Sequence, residues 1–267
     1  MIRTFLALLH YDGRDFVGWQ RQRAGRSVQG EVERVLERLA GRRIPANAAG
    51  RTDAGVHAVG MGVSFAMPAS WNAVALRRAL NALLPDDCWA AAVHPMHPDF
   101  HARKSALARR YRYDVGVDEA ARSPFRRRYE WALGRPLDAD ALERAAAELL
   151  GEHDFRGYAA RGAEKPHWRC SVRVARWEPR PDGAGVRFHI AADRFLHHMV
   201  RMLVGTMVDV GLGRRPLADV TRLLASADNQ ETSPPAPPQG LYFVAADYPP
   251  ECFAAETAAD AEPPFPR

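Results

Sequence analysis

Lysine is nearly missing from this chain. Only Lys104 and Lys165 occur, so 35 of the 37 basic side chains are arginine. Cysteine is scarce as well. Cys88, Cys170 and Cys252 are odd in number and far apart, with no Cys-x-x-Cys pair. That pattern argues against a disulfide framework and a zinc ribbon, and fits a reducing cytosol. Long hydrophobic runs are absent. The opening Met1-Ile2-Arg3-Thr4 leads into only five consecutive apolar residues, Phe5 to Leu9, too few for a signal-peptide core or a membrane span. The longest stretch without a formal charge, Ala54 to Leu76, holds three glycines, a proline, Ser64, Ser70 and Asn72, so no spanning helix is expected there either. No Gly-Lys-Ser/Thr follows the glycines, which excludes a Walker phosphate loop, and no nucleophile-elbow pattern is present.

What is present is an ordinary soluble composition on 267 residues, with 47% apolar and 26% charged side chains, enough for one or two domains at roughly 150 residues each. The charge is unevenly placed. The segment from Asp247 to Arg267 has five acids and one base, so the body before it carries +9. A basic body favours a polyanionic partner. Arginine forks phosphate and stacks on bases better than lysine, although a codon bias toward Arg and Ala accounts for the excess equally well.

Periodicity and punctuation place the elements. Strands are expected at Thr4 to Tyr11, Gly60 to Phe65, Cys88 to Val93, Ser105 to Val117, Ser171 to Trp177, Val186 to Ala191 and Leu241 to Tyr248. Helices are expected from the Ser27 cap to Gly41, over Trp71 to Leu84, Asp138 to Leu150, Phe195 to Val210 and Leu217 to Ala225. Ser233-Pro234-Pro235-Ala236-Pro237-Pro238 must be a loop. No fixed-period repeat is visible. Strands grouped with helices rather than strictly alternating argue for an α+β fold.

Three positions are candidates for chemistry. Asp53 sits in Gly50-Arg51-Thr52-Asp53-Ala54-Gly55-Val56-His57, a loop whose glycines let backbone approach a ligand; an Asp here also suits a turn cap. Arg201 lies inside the apolar helix expected over Phe195 to Val210, with no acid at a pairing distance in that helix. A guanidinium there needs an anion from elsewhere in the fold, unless it snorkels to solvent. Tyr111 sits on the apolar face of its strand within Arg109-Arg110-Tyr111-Arg112-Tyr113. It is either a core tyrosine or a platform for an unpaired base. Arg122, Arg126, Arg127 and Arg128 extend one basic region or form a solvated face. His94, His97 and His101 have helical metal-ligand spacing, but Pro95 and Pro98 interrupt any helix there. His197 and His198 are adjacent and cannot share a helix face.

Read together, these blocks resemble the TruA family of tRNA pseudouridine synthases. The loop Gly50 to His57 resembles its signature. So do Tyr11-Asp12-Gly13, Gly18-Trp19-Gln20-Arg21-Gln22, Ser27-Val28-Gln29-Gly30, Arg110-Tyr111-Arg112-Tyr113, Gly151-Glu152-His153-Asp154-Phe155, Phe195-Leu196-His197-His198-Met199-Val200-Arg201 and Ala236-Pro237-Pro238-Gln239-Gly240-Leu241-Tyr242. The blocks fall in the family's order over roughly residues 4 to 248. The arginine run around Arg126 and the acidic tail match no family motif.

The resemblance implies an α+β fold with two similar subdomains around a mixed, largely antiparallel sheet, flanking helices and a central basic cleft. The implied division is 1–104 with the Asp loop, 105–248, and a disordered acidic Pro-rich tail at 249–267. It implies a cytoplasmic homodimer that acts on tRNA, isomerising uridines at positions 38 to 40 of the anticodon stem-loop with no cofactor, no metal and no membrane. By the same resemblance Asp53 is the catalytic aspartate, Tyr111 stacks on the base, Arg201 pairs with the aspartate and Arg51 assists base extrusion. Two other readings remain at this point: a non-catalytic RNA-binding protein on the same scaffold, and a metal-dependent hydrolase built on His94, His97 and His101.

Overall fold

A computed structural model of the chain describes residues 1–160 and 167–254. In chain order its regular elements are β1 (Ile2–Tyr11), α1 (Val28–Ala40), β2 (Asn47–Ala48), β3 (His57–Pro68), α2 (Ala73–Leu83), β4 (Cys88–Met96), β5 (Ala108–Gly116), β6 (Trp131–Ala132), α3 (Ala139–Ala147), β7 (Gly151–Asp154), β8 (Arg169–Pro179), β9 (Gly185–Ala192), α4 (Met199–Gly211), α5 (Ala218–Leu224) and β10 (Leu241–Asp247). The expected α+β class is the one observed. The chain divides into two units. One takes Met1–Arg109 and the described residues from Phe243 onward; the other is Arg110–Tyr242.

In the first unit the strand order is β4-β1-β3-β10, with β2 added to β3. β1 runs antiparallel to both neighbours, placing Phe5 opposite Phe65 and Pro95. Its run from Phe5 to Leu9 is buried throughout, as expected of a strand covered on both faces. Leu6 and Leu8 pack with Met96, Phe100 and Ala102, and Tyr248, Cys252 and Phe253 close that cluster. The beginning of the segment expected to be disordered is therefore placed. Pro250–Cys252 forms a short 3₁₀ turn, Cys252 O accepts from His97 N–H at 2.9 Å, and Phe253 bridges to Met96. The remainder of that tail lies outside the described residues.

Helix α1 follows its sequence signals closely. Ser27 Oγ accepts from Gly30 N–H at 3.2 Å, and Gly41 ends the helix in the left-handed region at φ 67°, where glycine carries no Cβ penalty. α2 starts after Trp71 because Asn72 is the cap, its Oδ1 accepting from Ala75 N–H at 2.8 Å.

In the second unit the order is β5-β9-β8-β7. The β7–β8 and β8–β9 pairs are antiparallel and the short β6 is parallel to β5, so the pairing is mixed. α3 packs on β8 and α4. α4 is buried almost all round, which explains its apolar sequence. It begins four residues later than its hydrophobic pattern predicts. His198 stands at its entrance with φ 62°, the one non-glycine residue at positive φ among those described. The His197 carbonyl accepts from Ala160 N–H at 2.9 Å, so it is spent outside the helix. Among the described residues no helix is long and apolar enough to cross a membrane.

Two half-buried histidines in the first unit predict how stability follows pH. Burial holds His10 and His94 below their ordinary 6.5, with His94 edge-on to Phe253 at 6.0 Å. As pH falls through 6.5, the unfolded chain binds protons that the folded chain resists, so stability declines. The urea midpoint is expected to drop between pH 7 and 5.5, above the range where carboxylates titrate. It should drop less in His94→Gln, and an equal drop in that variant would count against this origin.

Candidate active site

Asp53 owes its position to main chain packed against main chain. β1 ends at Tyr11, whose hydroxyl shares a 2.8 Å hydrogen bond with the Thr52 hydroxyl. Gly13 follows at once. A Cβ on it would lie 2.0 Å from Val56 O, and its N–H donates to His57 Nδ1 at 3.1 Å. Gly18, at φ +106°, presses on the other side of the loop; a Cβ there would lie 2.6 Å from Thr52 O. Trp19 N–H donates to Thr52 O at 3.0 Å, and Val56 N–H donates to Asp53 O at 3.2 Å, closing the turn through backbone atoms. Thr52 is buried, Asp53 half-buried and Arg51 exposed. Arg109 Nε ties Ala49 O from behind at 3.2 Å.

The segment under the loop is braced in turn by α1. The first amides of a helix lack intrahelical partners. Here Val28 N–H donates to Gly18 O at 3.2 Å and Gln29 N–H to Trp19 O at 2.9 Å. The Tyr11, Gly18 and Ser27 blocks thus build one mould around the Asp53 loop. Sequence reasoning marked these blocks without seeing that function; the paired glycines beside aromatic residues are the signal that could have revealed it.

The second unit carries Tyr111 and Arg201. Tyr111 is 8% exposed, with its ring 5.0 Å from that of Phe195 at 81°, an edge-to-face pair. Phe195 was not singled out in sequence, because it looked like one more apolar helix residue. Arg201, in the first turn of α4, is half-buried and does not simply reach for solvent. Its Nε donates to Ala236 O at 2.7 Å, and its own carbonyl accepts from Ala236 N–H at 2.9 Å. One turn on, Gly205 leaves room for Pro234 O, which would sit 2.3 Å from a Cβ there. Tyr113 OH donates to Pro237 O at 2.7 Å. The Pro-rich loop is therefore strapped to α4 and β5, and the stretch 195–201 runs from Phe195, packed on Tyr111, to Arg201, held by Ala236.

The histidines of the hydrolase reading are engaged locally. His97 Nδ1 accepts from Asp99 N–H at 3.4 Å and His101 Nδ1 from Arg103 N–H at 3.1 Å, while His94 lies on β4 rather than on a helix. Burial pushes the Cys88 thiol up to about 12, which makes it a core group rather than a nucleophile. Of the arginine run, Arg126 departs from the expected basic region, because it is held inward by Asp118 at 2.8 Å and Glu130 at 2.9 Å.

An α+β scaffold that immobilises one aspartate on a glycine-moulded loop, and elsewhere fixes an arginine and an aromatic ring, has the parts of an enzyme acting through a single carboxylate. The family model for tRNA pseudouridine synthase matches residues 7–103 and 145–249, and the chain belongs to that family. A tRNA pseudouridine synthase A of Myxococcus xanthus is 42% identical over 87% of this chain and 87% of its own length. Its namesake from Thermus thermophilus is 42% identical over 94% and 98%, and that of Geobacillus kaustophilus 39% identical over 95% and 97%. Asp53, Arg51 and Arg201 lie within the matched residues. Tyr111 and the arginine run lie in the stretch between them.

The mould makes a prediction with its own control. Gly18→Ala meets both a positive φ and a carbonyl, and is expected to cost roughly 1–3 kcal/mol in denaturant unfolding. It should also lower pseudouridine formation by about a hundredfold through a displaced Asp53. Gly41→Ala also falls at a positive φ, +67°, but meets nothing within 4 Å, so it should lose stability and keep its turnover. Equal turnover in the two variants would refute the mould.

Proposed function

We propose that this protein converts uridine to pseudouridine at positions 38 to 40 of the tRNA anticodon stem-loop, with Asp53 as the catalytic residue. The observation that carries the reading is the Asp53 loop, clamped between Gly13 and Gly18 within the residues that match the family.

The reaction breaks the N1–C1′ bond, turns the uracil and joins C5 to C1′; the C5 hydrogen leaves as a proton and N1 takes one up. Atoms and electrons balance within the substrate, so the chemistry calls for no cofactor. One carboxylate is enough: it can trap or stabilise the electron-poor sugar or remove a sugar proton. The target base has to leave its stack, and an aromatic face such as Tyr111 replaces the lost stacking. Arg201 serves as the guanidinium partner of Asp53, its planar group held in orientation by the Ala236 carbonyl. Exposed Arg51, on the same loop, assists extrusion of the base. The apolar wall of α4 keeps the detached uracil from water. The protein works as a homodimer in the cytoplasm, on a basic cleft suited to the tRNA backbone.

Asp53→Asn tests the assignment. It is expected to abolish pseudouridine formation, read by nucleoside chromatography of digested tRNA, while tRNA binding changes little. Undiminished product would remove Asp53 from the chemistry, and product-free binding by the parent protein would leave an RNA-binding protein instead. Affinity should also fall steeply from low to moderate salt, since phosphate contacts release counterions; a flat response in a titration series would contradict a polyanionic substrate.

A further inference from the structure

The excursion from β5 to β6 turns one arginine inward and three outward. Arg126 is the inward one. Besides Asp118 and Glu130 it reaches Ala184 O at 3.0 Å, and Glu130, only 2% exposed, is also paired with Arg180. These ion pairs anchor the base of the excursion. Its tip is a run of tight turns. Ser123 O accepts from Arg126 and Arg127 N–H at 3.0 and 2.9 Å, and Arg126 O accepts from Tyr129 N–H at 2.8 Å. Ser123 Oγ accepts from Phe125 N–H at 3.3 Å.

On this anchored tip Phe125 is 87% exposed and Tyr129 40% exposed. Arg122, Arg127 and Arg128 are exposed beside them, and none of the three has an ion-pair partner among the described residues. A single exposed phenyl ring is unremarkable alone. A phenyl ring on an ion-paired turn, among three unneutralised guanidinium groups, has the chemistry of a nucleic-acid contact: an aromatic face for a base and cations for phosphates.

We propose that Phe125, with Arg122, Arg127 and Arg128, is a further RNA-docking surface. It takes unpaired nucleotides of the tRNA substrate other than the reacting uridine. The proposal rests on the reading of tRNA as the substrate. Charge favours this occupant over a second copy of the chain, because a two-fold contact through the patch would set like-charged arginines against one another. The surface lies in the stretch that the family match passes over, between residues 103 and 145.

The experiment is equilibrium binding of unmodified tRNA transcript across a salt series, with sedimentation of each protein. Phe125→Ala is expected to weaken binding about tenfold, as for one lost base–aromatic stack, and Phe125→Trp to restore it. Arg127→Ala/Arg128→Ala should make the slope of log affinity against log salt shallower by about 1.4, the value for two phosphates of a single strand. Unchanged affinity and slope would overturn the proposal. So would a Phe125→Ala protein that falls to monomers, whether or not binding changes, since the patch would then be a contact between copies. Binding is read without turnover, so the two readings fail separately. A parent protein that uses this patch yet forms no pseudouridine would contradict the proposed activity alone, and intact pseudouridine formation with unaffected binding would contradict the patch alone.

Discussion

The approach of two glycines to one loop sets the position of Asp53, the residue on which the proposed chemistry depends. At Gly13 and Gly18 the main chain lies against the carbonyls of Val56 and Thr52, with no room for a side chain. Such contact fixes a loop more firmly than side-chain packing does, because neither surface has a rotamer through which to relax. The hydroxyl pair of Tyr11 and Thr52 and the amide of Trp19 add directional bonds to the same few residues. The proposed catalytic role of Asp53 calls for support of this kind, because a misplaced reacting group loses rate steeply.

The second unit meets a different constraint. α4 is apolar and buried nearly all round, yet it must carry a guanidinium near its start. The Pro-rich loop makes this tolerable: Ala236 satisfies Arg201 Nε while its amide is satisfied by the Arg201 carbonyl. Gly205 and Gly240 let that loop lie close to α4 and to the Tyr113 ring. The strain at His198 belongs to the same arrangement. Turning the chain there lets Phe195 and Leu196 leave the helix path, and Phe195 meets Tyr111. Backbone strain of this sort persists where its surroundings enforce it, and it gathers at functional sites.

Much of this was legible in the residues. α1 could be read to within a residue because Ser27 and Gly41 mark its ends by local chemistry alone. The aspartate loop was visible through its glycines, but not the reason for its rigidity, which comes from residues about 40 positions earlier and requires the fold. The start of α4 was misplaced because Phe195 and Leu196 continue its apolar period, and nothing local announces that His197 spends its carbonyl on Ala160. β7 was missed because Gly151-Glu152-His153-Asp154 is polar and short; only its ladder with β8 makes it a strand. The arginine run read as uniform, and it took Glu130, buried beneath it, to separate Arg126 from its neighbours.

The most direct test of the central claim follows the hydrogen on the target base. Purified protein mixed with anticodon-arm RNA carrying tritium at C5 of uridine should release the label to water in proportion to the pseudouridine formed. If the protein bound that RNA and left the label in place, the isomerase account built on Asp53 would be contradicted.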